Sequence, residues 1–168
     1  MSFAPDSRLA RTVAAASAFG LAWPQPAPTH EFLAVKKIGW LVCVSGHAPF
    51  DDERFQYQGQ VGADIDLMTA QQAARMAVLG CLVSLDRALG DLEAVQEIVK
   101  VNGYVHCIPG FEPLPAITDA ASRLLIEVFG DDGRHARTTV GVASLPFGVA
   151  VELEIIALAR MQAKPRPP

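Results

Sequence analysis

The chain is 168 residues long, 51% apolar and 19% charged, the composition of one globular domain with a single core, which excludes intrinsic disorder. It carries 14 Lys and Arg against 18 Asp and Glu, a net charge of −4 with the cations scattered, which excludes a surface built to neutralise a nucleic-acid backbone. No apolar run reaches the roughly 18 residues a membrane-crossing helix needs, so neither a membrane nor a nucleic acid is an expected partner, and a cytoplasmic location is expected.

From the N-terminus, SRLARTVAAASAFGLAW reads as a helix capped by Ser7 and stopped by Pro24. The two arginines before an alanine-rich run also resemble a secretory leader. Against that, Asp6 precedes the arginines, and the run lacks the Leu and Val density of an export core. PQPAP is then a stiff connector. The expected division is an N-terminal helix with connector over 1–28, a folded body over 29–160 and a frayed tail over 161–168.

Next, FLAVKKIGWLVCVSG reads as two β-rich runs separated by KKIG and ending at Ser45-Gly46, the pattern of a hairpin. The polar stretch from His47 to Met68 reads as a loop with room for a short strand. Thr69 is expected to begin the clearest helix, because TAQQ has the spacing in which the cap and third side chains satisfy each other's backbone donors. Gly90 supplies its left-handed stop. Ala73, Met76, Ala77, Gly80 and Val83 give that helix a face that can lie close on a sheet. A strand follows, with Val99, Val101, Gly103 and Val105 on one side and Lys100, Asn102, Tyr104 and His106 on the other. A second helix is expected from about Ile117 to Phe129, then a last pair of strands, about Thr138–Ala143 and Val149–Ala159.

The order hairpin, helix, strand, helix, hairpin predicts an α+β domain, a sheet with two helices packed on one face. The last strand sets Val151, Leu153, Ile155 and Ala157 against Glu152, Glu154, Ile156 and Leu158, so both faces turn apolar toward its end. An apolar second face predicts burial in a closed homo-oligomer. Cys43, Cys81 and Cys107 lie far apart among apolar neighbours and read as buried reduced thiols. His30, His47, His106 and His135 have no ligand spacing, so no metal and no other cofactor is expected. His47 and His135 read as surface residues, and Trp40 and Phe147 as packing residues.

The segments VSGHAP, TAQQAARMAVLGCLVSLDRALGDLEAV, IVKVNGYVHC and above all ARTTVGVASLPFGVAVELEIIALA together resemble the RidA/YjgF family, also called L-PSP endoribonuclease-like, from about Phe32 to Ala159. The N-terminal helix and connector are similar to a longer branch of that family. The resemblance implies a chorismate-mutase-like mixed sheet and a homotrimer with ligand clefts between subunits. It also implies hydrolysis of reactive 2-imino or 2-enamino acids to 2-oxo acids and ammonia. On this resemblance Arg137 clamps the substrate carboxylate, Glu152 positions water or moves a proton, and Ser45 and Gly46 line the cleft. A cleft asparagine of the family falls near Asp119 or Ala120. Thr139 stands where the family has a cysteine, and the family's tyrosine ahead of the first strand has no counterpart in PAPTHEFLAV. Asp119 and Thr139 are thus candidate substrate-binding residues.

The chemistry suits such a sparse set. A guanidinium offers a planar pair of donors to a carboxylate, and an imine already electrophilic needs chiefly positioning, an oriented water and a proton acceptor. Without the resemblance, the favoured reading of Arg137 is an ion pair with Glu152, Glu154 or a neighbouring subunit's acid, and Glu152 reads as a solvated strand position or an ion-pair partner. A non-catalytic protein that binds small carboxylates is the second reading. Ribonuclease activity, which the family's other name evokes, is opposed by the net charge of −4 and the lack of a basic stripe.

Overall fold

In the computed structural model, residues 7–18, 31–51 and 54–160 are described. The connector and the tail expected from the sequence lie outside them. The first helix, α1 (Arg8–Ala18), begins as predicted, with the Ser7 hydroxyl accepting from the Ala10 amide at 3.1 Å. It is fastened by Arg8, whose buried guanidinium donates to the Leu92 and Val95 carbonyls, pairs with Asp132 at 2.7 Å and lies over the Phe129 ring.

Strands β1 (Val35–Ile38) and β2 (Leu41–His47) form the first hairpin. The turn is not KKIG: Lys36, Lys37 and Ile38 are strand residues, and the chain reverses over Gly39 and Trp40, where Gly39 takes the φ of 62° the tight turn demands. Short strands β3 (Phe50–Asp51) and β4 (Arg54–Phe55) pair with each other in the polar stretch. Helix α2 (Leu67–Leu89) starts two residues before Thr69, because Asp66 is the cap: its carboxylate accepts from the Thr69 amide at 2.7 Å. That backbone hydrogen bond holds the Asp66 carboxyl below its usual range. Gly90 closes the helix with φ 83°, as predicted.

Strand β5 (Val95–His106), helix α3 (Leu114–Phe129), β6 (Ala136–Val142) and β7 (Val151–Ala159) complete the domain. The sheet order is β1-β2-β7-β5-β6, with β5 and β6 parallel and the other neighbours antiparallel. The domain is thus the expected α+β mixed sheet with α2 and α3 on one face. The last two strands are not a hairpin, since β5 lies between them and β6 is left on the sheet edge. The alternation of β5 holds from Val101 to Val105, but a bulge between Ile98 and Lys100 turns Val99 outward. Along β7 the predicted alternation is complete: Val151, Leu153, Ile155 and Ala157 are buried under the helices, and the residues between them are half-buried on the other face.

Other assignments change with burial. Cys81 is buried and its thiol is pushed up by that burial, but Cys43 and Cys107 are only partly covered. Trp40 is exposed and not a packing residue, whereas Phe147 stacks on Phe55 at a centroid distance of 4.0 Å while keeping one face open. His47 is not on the surface. It is inserted between strand and helix where Gly80 leaves room for the ring, and its nitrogens bond the Ser45 carbonyl and the Ser84 hydroxyl, each at 2.7 Å.

Burial lowers the pKa of His47, with the Ser45 carbonyl partly opposing it. A histidine whose folded pKa is depressed stabilises the fold above its unfolded value, near 6.5, and that stability is lost as pH falls toward the folded value. Urea midpoints are therefore expected to drop between pH 7.5 and pH 5, and His47→Gln should flatten part of that drop. Parallel pH profiles for the two proteins would refute this placement of the ring.

Candidate functional site

The site forms where α3 crosses the edge strand. Val101, Gly103 and Val105 of β5 pair with Arg137, Thr139 and Gly141 of β6, so these six residues share the face under the helices. Gly103 brings α3 close: a Cβ there would lie 2.5 Å from Thr118 Cγ2. That approach lets the Thr118 and Thr139 hydroxyls meet at 2.7 Å. The next residue of α3, Asp119, and Ser122 one turn beyond Thr118 reach Arg137. Its Nη1 lies 2.8 Å from Asp119 Oδ1 and donates to Ser122 Oγ at 3.0 Å.

The hydrogen bonds run in one direction. His135 Nδ1 must donate to the Gly133 carbonyl, 2.7 Å away, so the neutral ring presents the Nε2 lone pair to the Ser122 hydroxyl at 3.0 Å, while Ser122 Oγ accepts from Arg137. Burial lowers the His135 pKa; the Gly133 carbonyl acts against it and the Arg137 charge reinforces it, so the ring is neutral at pH 7. Ser122, Ile126, Arg134, His135 and Arg137 line a cleft of about 370 Å³. The Arg137 side chain is 23% exposed, enough for its guanidinium to meet a ligand.

Arg137, Asp119 and Thr139 are thus brought together, and the guanidinium pairs with Asp119 rather than with Glu152 or Glu154. Ala120, the other position considered for the family asparagine, is buried. Ser122 and His135 were not anticipated. Both could be found by spacing: Ser122 follows Asp119 by three on a helix, and His135 precedes Arg137 by two, the strand repeat.

Glu152, Ser45 and Gly46 form a second group. Ser45 and Gly46 stand as two residues between the pairs Val44–Ile155 and His47–Leu153, a bulge in β2. Only glycine fits there, because a Cβ would run into the Glu152 carboxylate, 2.9 Å from its Cδ. The Ser45 hydroxyl donates to the Leu33 carbonyl at 2.8 Å. Burial raises the Glu152 pKa, and the Glu154 charge adds to it. Glu154 accepts from Asn102 at 2.7 Å and from Tyr104 at 3.0 Å. Glu152 pairs in register with Tyr104, on the face away from the helices. Within one chain, Arg137 and Glu152 therefore lie on opposite faces of the sheet.

No group of three metal-ligating side chains occurs among the described residues, and none of their helices is long and apolar enough to cross a membrane. Residues 11–157 match the family model described as "YjgF/chorismate_mutase-like, putative endoribonuclease". Protein TCP17 of Trypanosoma cruzi is 39% identical over 131 residues, covering 77% of this chain and 82% of that protein. Among solved structures, Atu1372 of Agrobacterium tumefaciens, a protein of unknown function, is 32% identical with a TM-score of 0.83, covering 93% of this chain and 95% of that one. The E. coli protein TdcF, solved with bound serine, is 20% identical with a TM-score of 0.57, over 83% of this chain and 96% of that one, a likeness of fold.

Proposed function

Because this chain belongs to the YjgF/chorismate mutase-like family, we propose that it hydrolyses reactive 2-imino or 2-enamino acids to 2-oxo acids and ammonia, with Arg137 gripping the substrate carboxylate. The observation that carries this reading is the part-exposed Arg137 guanidinium on a cleft of about 370 Å³, a size suited to a small organic acid. The serine held by TdcF accords with a ligand of that kind.

In the proposed reaction an enamine first takes a proton on carbon to become the imine. A water oxygen then bonds to the C=N carbon as the C=N π pair moves to nitrogen, and the proton the water gives up passes to that nitrogen to leave the carbinolamine. Its hydroxyl proton is transferred to nitrogen as the C–N bond breaks, ammonia leaves and the C=O bond is made. A carboxylate of raised pKa suits the proton transfers, which points to Glu152. Since Glu152 and Arg137 occupy opposite sheet faces, the proposal requires them to come from different subunits. A homotrimer with intersubunit clefts would meet that need. On the face away from the helices, exposed Leu41 beside half-buried Leu158, with Ile156 next along β7, and exposed Val140 beside Tyr104 supply apolar surface for such contacts.

The test generates imines in situ with an amino-acid oxidase and follows ammonia or 2-oxo acid. Arg137→Ala is expected to be slower than the wild type by at least about tenfold, the loss of one charged hydrogen bond. Equal rates would end the clamp assignment. The second reading, a binding protein without turnover, is favoured by the separation of Glu152 from the clamp. It predicts ligand binding that Arg137→Ala abolishes and no product in either protein.

A further inference from the structure

Both arginines that line the cleft are paired with carboxylates, which a simple carboxylate clamp does not need. Arg137 is paired with Asp119 at 2.8 Å, Arg134 with Asp131 at 3.1 Å, and His135 between them is neutral. Two cations are thus offset by two anions. A ligand bearing only a carboxylate would take its place on Arg137 beside the Asp119 charge and be repelled by it. That repulsion cancels much of the attraction. A ligand that also carries a positively charged nitrogen next to the carboxylate meets both charges with the right sign.

Both protein contacts of the Arg137 guanidinium, to Asp119 and to Ser122, use Nη1. Among the described residues its Nε and Nη2 have no partner, and they form the fork that a carboxylate takes in bidentate fashion. The Asp119 side chain is 48% exposed, so its carboxylate can accept from a donor without leaving Arg137. An α-amino acid, or a 2-imino acid protonated on nitrogen, holds its nitrogen and carboxylate on adjacent carbons. It can therefore lie along this ion pair with carboxylate against guanidinium and nitrogen against Asp119.

We infer that Asp119 is a specificity-determining residue, selecting dipolar ligands with a cationic nitrogen α to the carboxylate over the 2-oxo acids of the same skeleton. The inference rests on the proposal that Arg137 binds the carboxylate, and it adds a consequence for turnover. Hydrolysis of an iminium removes the one group that pairs with Asp119, so the 2-oxo acid product is held more weakly than the substrate and leaves.

The experiment measures binding of L-alanine, pyruvate and lactate to the full chain by calorimetry at neutral pH. The three probes share a skeleton and differ at the group on C2. The wild type is expected to bind alanine at least about tenfold more tightly than pyruvate or lactate, the scale of one charge-assisted hydrogen bond. Asp119→Asn, nearly isosteric and at a part-exposed position, should weaken alanine and tighten pyruvate so that the preference is lost. A wild type that prefers pyruvate, or an Asp119→Asn change that shifts all three ligands equally, overturns the inference and leaves the clamp standing. Binding that survives Arg137→Ala, or no binding of any probe, removes the clamp and the inference with it.

Discussion

Gly133→Ala is expected to destabilise the fold by about 3 kcal/mol and to lower its melting temperature by roughly 10 °C. A Cβ on this buried residue would overlap the Leu125 carbonyl oxygen, lie 2.7 Å from the Leu125 carbonyl carbon and touch Ile126 Cα at 3.0 Å. All three atoms belong to the backbone of α3, which cannot rotate aside as a side chain can. Relief requires the turn after α3 to lift off the helix. The Gly133 carbonyl also accepts from His135 Nδ1, so lifting the turn moves His135, then Ser122, which bonds both His135 and Arg137. Ligand affinity should therefore fall together with stability. Gly90→Ala is the control. It places a Cβ in open space and meets only the penalty of a φ of 83°, about 1 kcal/mol, far from the cleft. Equal losses in the two variants, read from chemical denaturation, would show that close packing at Gly133 is not what holds the turn.

The alternation of β7 and the Gly90 stop could be read from the chain because each depends on a local rule, the strand repeat of two and the freedom of a residue without Cβ. Cap and turn assignments slipped where two local signals competed. Asp66 outdoes Thr69 because a carboxylate is already in place three residues earlier, and Gly39 outdoes Lys36-Lys37 because only glycine accepts the turn's φ at no cost. Strand order was harder. Nothing local to β6 or β7 announces that β5 inserts between them, since that depends on α3 packing back over the sheet across Gly103.

The same distinction governs the site. Arg137, Asp119 and Thr139 were legible through a family resemblance, but the Arg137–Asp119 pairing was not, because it follows from the height at which α3 crosses β6. Ser122 lies on the right face of α3, and His135 stands just ahead of β6, two residues before Arg137. Their joint role appears only once the Gly133 turn folds the chain back.

The opposite-face placement of Arg137 and Glu152 makes a further outcome calculable. If the working site combines Arg137 of one subunit with Glu152 of another, Arg137→Ala and Glu152→Gln chains are each expected to retain less than about a tenth of wild-type imine hydrolysis, since each removes a group the transition state uses. Co-expressed or refolded together in equal amounts and assembled at random, they place an intact Arg137 against an intact Glu152 at about a quarter of the interfaces of a closed ring. Activity should therefore rise to about a quarter of wild type in the mixture, from two parents that are both nearly silent. The register makes this recovery specific. Tyr104 pairs with Glu152 and Val101 with Arg137, and the two β5 residues are an odd number of positions apart and so face opposite ways, so no rotation of a side chain brings the two groups together within one chain. A mixture no more active than its parents, at a mass showing that mixed oligomers had formed, would mean that Glu152 does not complete the Arg137 site.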